Sequence, residues 1–349
     1  DAEKAYFEKQ DTVYDVDEGA WKNDAFWAQV DAELPGWRTD AALERFPCLC
    51  IRPDLVRRDS EPEQRLGVVA LERHRVYGVR DRIDFVHGDA LELLPGLRGK
   101  VDLVFADPPF NWDVPYENWS DDMPRSAFER FTFDWLDLCI DLLSPTGAIW
   151  VNIPDDTAAE VVIHLKRRGL TMVNWCVWHF RFGQYREGSF IMSKVHALYF
   201  VKDSITRTWN SDAILEKSDR ATIYNDKRTQ EKGKNKGMRV PMDVWYGKYW
   251  GRVQGNSRER RHGHHNQIPE VYLERVILAC SNEGDLVLDP FAGSGTTSTV
   301  ARSHGRRSIS IECSEVNATS AWERISTIGM IRKNCSFGQS SAIHNKRTT

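Results

Sequence analysis

The sequence predicts an α/β fold: a mostly parallel sheet with helices on both faces. Three observations carry that expectation. From residue 82 onward, short apolar runs alternate with amphipathic stretches of helical period. Two of those runs, "VDLVFADPP" and "DLVLDP", end in Asp-Pro, which places a carboxylate at a strand end. The alternation breaks once, between Asp203 and His265, and then resumes.

Taken in chain order, the runs predict strands at 83–87, 101–106, 148–153, 171–178, 195–201, 285–289 and 308–312, seven in all. The stretches "AFERFTFDWLDLCIDLL", "DTAAEVVIHLKRRG", "IPEVYLERVILACS", "TTSTVARSHG" and "SEVNATSAWERIS" read as helices. Residues 1–81 form a partly helical N-terminal extension. There "EPEQRLGVVALERHRVYGV" spaces Leu66, Val69, Ala70 and Val76 at helical intervals, and "GAWKNDAFWAQV" reads as a second helix. Trp21, Phe26, Trp27 and Trp37 suit packing of this extension. Residues 82–203 and 263–330 are the two halves of the α/β core, 204–262 is an insertion, and 331–349 is a polar tail.

The bulk numbers agree. The 349 residues, 41% apolar and 28% charged, allow one large α/β domain with additions. No run of eighteen apolar residues predicts a membrane span, and no apolar h-region marks a signal peptide. Seven scattered cysteines without a CxxC pair suit free thiols in a reducing compartment, so a cytoplasmic protein is expected. The net charge of −4 conceals an asymmetry. Lys202 to His262 holds 15 Lys and Arg against 8 Asp and Glu, a net of +7, while the rest holds 32 against 43, a net of −11. The segment "DVWYGKYWGRVQGNSRERRHGHH" interleaves aromatic with cationic residues and reads as a recognition insert; a solvated loop is the plainer alternative.

Two motifs carry chemistry. In "DPFAGSGTT", Asp289 to Thr297, an apolar strand enters a turn where Gly293 and Gly295 permit backbone conformations closed to other residues. The helix that starts near Thr296 offers free N–H groups to an anion, and Glu312 at the next strand end is placed for ribose hydroxyls. Without Gly-Lys-Ser/Thr this is not a triphosphate loop; a nucleoside with an anionic amino-acid tail suits it better. In "ADPPF", the strand delivers Asp107 to its carboxyl end, Pro108 and Pro109 stiffen an extended turn with free carbonyls, and Phe110 follows as a stacking ring. The set suits a flat heterocycle with an exocyclic amino group, although "PPF" alone is more often a loop capped by a core Phe.

Together, and in this order around a basic insert, the motifs resemble the amino-DNA methyltransferases that use S-adenosylmethionine, in their circularly permuted β arrangement. The resemblance covers roughly residues 82–327 and implies a Rossmann-like seven-stranded methyltransferase sheet, the cofactor loop having moved to the end of the chain. It implies a site-specific, base-flipping enzyme that methylates adenine N6 in DNA. Asp107, Pro108, Pro109 and Phe110 become catalytic. Asp89, in "HGDALELL", and Gln267, in "HHNQIPE", join Asp107, Asp289, Phe291, Gly293, Gly295, Thr296, Thr297 and Glu312 as cofactor residues. Ile268 stands where the family's helix start has Lys. Arg252, Arg258, Arg260 and Arg261 are expected to form one cationic DNA surface, with Gln254 and Asn256 reading adenine edges.

Alternatives stay open at this point. They are cytosine N4 methylation, RNA adenine methylation, and a catalytically silent DNA-binding subunit. A homodimer and a cognate restriction endonuclease are compatible with the resemblance. A cytosine-C5 enzyme would need the Cys of "FPCLC" at a strand end, where it does not fall, and the histidines of "HGHH" lack partners at metal-ligand spacing, so no metal is expected.

Overall fold

A computed structural model of the chain describes residues 76–335, apart from 81–82, 98–99, 118, 185–186, 232–234, 248–249, 254–256, 258, 262–263 and 265. The chain divides into two compact units, 1–63 with 78–80 and 64–77 with 81–349. Of the first, only the end of the strand Val76–Arg80 is described. That strand corrects the end of the helical reading of "EPEQRLGVVALERHRVYGV": Val76, Tyr77 and Val79 stand in extended backbone, which suits β-branched and aromatic residues. The rest of the helices expected in the extension, and most of the tail, lie outside the described residues.

The second unit is organised by a sheet in the order Ile83–His87, Arg307–Glu312, Leu286–Asp289, Val101–Ala106, Leu143–Ile153, Met192–Val201, Thr171–Gln184, Val244–Trp245. Pairings from Ile83–His87 through Leu143–Ile153 are parallel. Met192–Val201 then runs antiparallel to both of its neighbours. The strand count of seven needs a correction. Val244–Trp245 adds a short edge strand, drawn in because buried Trp245 packs on Trp150 and Tyr272 at centroid distances of 5.4 and 5.1 Å. A two-residue strand leaves no periodic signal to read.

Helices cover both faces, which is why the central strands are buried runs rather than alternating ones. On Arg125–Leu142, Phe128, Phe131, Trp135, Leu136, Cys139 and Ile140 form one apolar stripe and join Val104, Val151 and Leu288 in a first layer. Pro269 opens the helix Glu270–Cys280, whose Tyr272, Leu273, Val276 and Ile277 meet Phe105, Trp150 and Val287 in a second. Ile268 is buried in this second layer, so an aliphatic side chain suits the position where the family has Lys. The final helix, Glu315–Cys335, packs Ala318, Ala321 and Ile325 on Phe85.

The insert carries the hairpin Glu216–Lys217 with Met238–Arg239 and two short helices, Asp219–Thr222 and Lys227–Glu231. Part of its charge is spent internally. Arg239 pairs with Glu216 and Asp219, and Arg275 of the following helix pairs with Glu216.

Candidate active site

Because the central strands run parallel, Val101–Ala106, Leu286–Asp289 and Arg307–Glu312 end on one side of the sheet, and their following loops converge. They line a cavity of about 850 Å³. Asp89, Asp107, Pro108, Pro109, Phe110, Asp289, Phe291, Gly293, Thr296, Thr297 and Glu312 all face it. Two motifs about 180 residues apart in sequence therefore share one chamber.

The cofactor-type half is tightly bonded. Glu312 is buried; its Oε2 accepts from Gly293 N at 2.7 Å and its Oε1 from Ser314 N at 2.9 Å. Burial raises its pKa against these bonds. Asp289 accepts from Phe291 N at 3.0 Å and from the Thr297 hydroxyl at 2.5 Å. Burial, helped by the charges of Asp107 and Glu312, pushes Asp289 up to about 7. Asp89 caps the helix Ala90–Leu93 through Leu91 N at 2.7 Å. The ring of Phe291 sits edge-on to Trp135 at 5.1 Å.

Gly293 and Gly295 serve different ends. Both have positive φ, +49° and +69°. A Cβ on Gly293 would meet the ring of His264, itself a cavity residue, at 2.7 Å. A Cβ on Gly295 would meet Ala321 Cβ at 2.8 Å, and Gly295 is not among the cavity-lining residues. That contact packs the turn closely against the final helix.

Gln267 is buried, donates to Glu259 O at 2.6 Å and accepts from Arg261 N at 2.8 Å. Both ends of the amide are used to fasten the 259–261 segment to the start of Glu270–Cys280.

The catalytic-type half contains residues the sequence did not single out. Asp107 Oδ1 accepts from Asn152 Nδ2 at 3.0 Å, and Asn152 Oδ1 accepts from the Tyr272 hydroxyl at 2.6 Å. Asp107 Oδ2 accepts from Arg252 Nη1 at 3.0 Å. Arg252 is therefore not on an outward cationic surface, as expected, but turned in against the end of Val101–Ala106. Of its companions, Arg260 and Arg261 are half-buried, and burial and nearby Arg324 lower the pKa of Arg261. Gln254, Asn256 and Arg258 lie outside the described residues.

Beyond Phe110 the loop is clamped by buried Asp121, which accepts from the backbone N–H groups of Asn111, Trp112 and Val114 at 2.8, 2.9 and 3.1 Å. This holds Asn111 and Asp113 at positive φ, 60° and 57°. Tyr116 of the same loop lines the cavity, and burial together with the charges of Asp121 and Asp107 pushes its pKa up to about 12.

Residues 101–322 match the family model described as DNA methylase. The chain belongs to the DNA methylase family. This methylase is 36% identical over 244 residues to the DNA adenine methyltransferase YhdJ of Escherichia coli (strain K12), covering 65% of this chain and 77% of that one. It is 30% identical over 251 residues to the type II methyltransferase M.BamHI of Bacillus amyloliquefaciens, covering 70% of this chain and 57% of that one. Among solved structures, the PvuII DNA methyltransferase (cytosine-N4-specific) aligns with a TM-score of 0.50 at 16% identity, over 71% of this chain and 91% of that one, a likeness of fold. Among the described residues of the methylase, no helix is long and apolar enough to cross a membrane.

The donor set fits S-adenosylmethionine. Two buried carboxylates, Glu312 and Asp289, stand beside a glycine-bearing turn and a helix N-terminus in a cavity large enough for a nucleoside.

Proposed function

We propose that this DNA methylase transfers a methyl group to the exocyclic N6 of adenine in DNA, on a base flipped into the Asp107 end of the cavity. The carrying observation is the shared chamber: an acceptor carboxylate and the Phe110 ring open onto the same space as Asp289, Gly293 and Glu312. Asp at the first position of "DPPF" and the adenine named for YhdJ favour adenine. The cytosine N4 named for the PvuII enzyme keeps that base as the second reading.

As a DNA methylase, the chain takes its methyl group from S-adenosylmethionine, which supplies an electrophilic carbon when bound. Glu312 would hold ribose hydroxyls, and Asp89 and the 293–297 turn would hold the adenine and amino-acid ends. Asp107 and the Pro108 carbonyl accept from the target amino group. Those bonds would draw the nitrogen lone pair out of conjugation; as the nitrogen gains the methyl group, the C–S bond would break, S-adenosylhomocysteine would leave, and one amino proton would pass to Asp107 and on to solvent. Positioning and electrostatics carry the step, without a covalent enzyme intermediate. Flipping costs a few kcal/mol, and stacking on Phe110, worth ~1–3 kcal/mol, offsets much of it.

The same reading takes the fold as the circularly permuted β arrangement. The strand feeding the cofactor turn, Leu286–Asp289, lies between Val101–Ala106 and Arg307–Glu312 yet comes late in the chain. Residues 204–262 then stand where target recognition is expected, with Arg260 and Arg261 directed to DNA.

Labelled methyl transfer to plasmid DNA, followed by digestion to nucleosides, tests the reading. Label is expected in N6-methyldeoxyadenosine. Label in N4-methyldeoxycytidine selects the second reading; label in neither nucleoside refutes both.

A further inference from the structure

Arg252 occupies the place that the proposed mechanism reserves for the target base. Its Nη1 donates to Asp107 Oδ2 at 3.0 Å and to Asn266 O at 2.6 Å. Its guanidinium carbon lies 4.9 Å from the Trp178 ring centroid and 5.8 Å from that of Phe110. The pair is well inside the protein, with side-chain exposures of 14% for Arg252 and 15% for Asp107. A guanidinium is a flat π cation edged with N–H donors. In shape and bonding it imitates an amino-bearing heterocycle, one edge on a carboxylate and one face near aromatic rings.

We propose that Arg252 is a resident stand-in for the flipped base, filling the target pocket until a base displaces it. The inference rests on the reading of Asp107 as the acceptor for the target amine. Asn152 holds Asp107 Oδ1 and Arg252 holds Oδ2, so the amino group of a base seated in the place of the guanidinium takes over the bond at Oδ2. The exchange restores the buried carboxylate's bond only if the base brings its own N–H. A base without an amino group at that edge strips Asp107 of a partner and returns nothing. Arg252 thereby adds discrimination to the pocket, since an incoming base is weighed against a fitted competitor.

The test uses the full chain saturated with S-adenosylhomocysteine, so that the cofactor's own adenine position is filled. Adenosine and purine riboside, which lacks the amino group, are titrated as target-pocket probes into wild type, Arg252→Met and Arg252→Lys, with binding read by ligand-observed NMR. A pocket blocked nine-tenths of the time weakens its ligand by about tenfold, so Arg252→Met is expected to bind adenosine about tenfold more tightly than wild type. Arg252→Lys, which still pairs with Asp107 but cannot lie flat, falls between. In wild type, adenosine binds more tightly than purine riboside.

Structural damage lowers affinity, so a gain reports the vacated pocket. Equal or weaker adenosine binding in both variants, including no binding in any of the three chains, overturns the proposal. Methyl transfer to plasmid DNA by wild type is measured in parallel. Its absence refutes the methylation reading, whereas intact transfer with unchanged adenosine affinity refutes only the role of Arg252.

Discussion

Tyr272 and Asn152 meet in the protein interior, the phenol donating to the amide oxygen at 2.6 Å. Both are fully buried, one on the helix Glu270–Cys280 and one near the end of Leu143–Ile153. The amide nitrogen of Asn152 then donates to Asp107. A helix on one face of the sheet thus fixes the rotamer of a carboxylate at the cavity floor. Tyr272→Phe removes one bond and leaves a buried acceptor unpaired, a loss of about 1–3 kcal/mol. Thermal unfolding should show that loss. Methyl transfer should fall with it, through kcat more than through KM for DNA. A variant with lowered stability and wild-type kcat would confine the contact to folding.

Phe110 is only 7% exposed yet lines the cavity, and its ring is T-shaped on Trp112 at 5.1 Å. Phe110→Ala should weaken binding of DNA carrying a flipped base by ~1–3 kcal/mol, and Phe110→Tyr should come close to wild type. Equal damage from Tyr and Ala, measured as affinity for DNA with an abasic partner opposite the target, would make the ring a core residue only.

The two glycines of the cofactor turn should separate. Gly293→Val strains a left-handed residue and drives a side chain into His264, and Glu312→Ala removes the carboxylate that holds Gly293 N. Each should raise the S-adenosylhomocysteine dissociation constant by about tenfold or more, as expected for loss of charge-assisted bonds. Gly295→Ala should act first on the melting temperature, because its Cβ meets Ala321. Calorimetry on the three variants checks the division; unchanged affinity in the first two would remove the turn from the cofactor site.

Asp289 gives a pH signature. Burial raises its pKa from 3.8 to about 7, so between those values the folded chain keeps a proton that the unfolded chain has released. The contribution is present in full below the unfolded pKa and is lost as pH rises through the folded one. Asp289→Asn escapes that loss. Its melting temperature relative to wild type should climb from about pH 4 to about pH 7 and level off above that. A difference that stays constant with pH would show Asp289 ionised throughout.

Much of this was legible in the sequence, for identifiable reasons. Asp107, Asp289 and Glu312 stand at the ends of apolar runs, and a parallel sheet brings such ends together. Asn152 was hidden because "GAIWVNIP" reads as one buried strand, in which a single amide barely disturbs the pattern. That lone polar residue near the strand's end was the available signal. Tyr272 falls on the apolar stripe of its helix and reads as core, which it is, apart from its hydroxyl. Arg252 was assigned outward because a charge run along a sequence does not say which way each side chain turns. The motifs give no sign of the contacts that Gln267 and Gly295 make within the chain, the first to Glu259 O and the second against Ala321.

The central claim is that Asp107 receives the amino group of a flipped adenine. Replacing Asp107 with Ala and following labelled methyl transfer from S-adenosylmethionine to plasmid DNA, with the nucleosides resolved after digestion, tests it most directly. Wild type should place label on N6 of deoxyadenosine, and the variant should lose at least about a hundredfold in rate while still binding S-adenosylhomocysteine. Near-normal transfer by the variant, or label on another base in wild type, would contradict the claim.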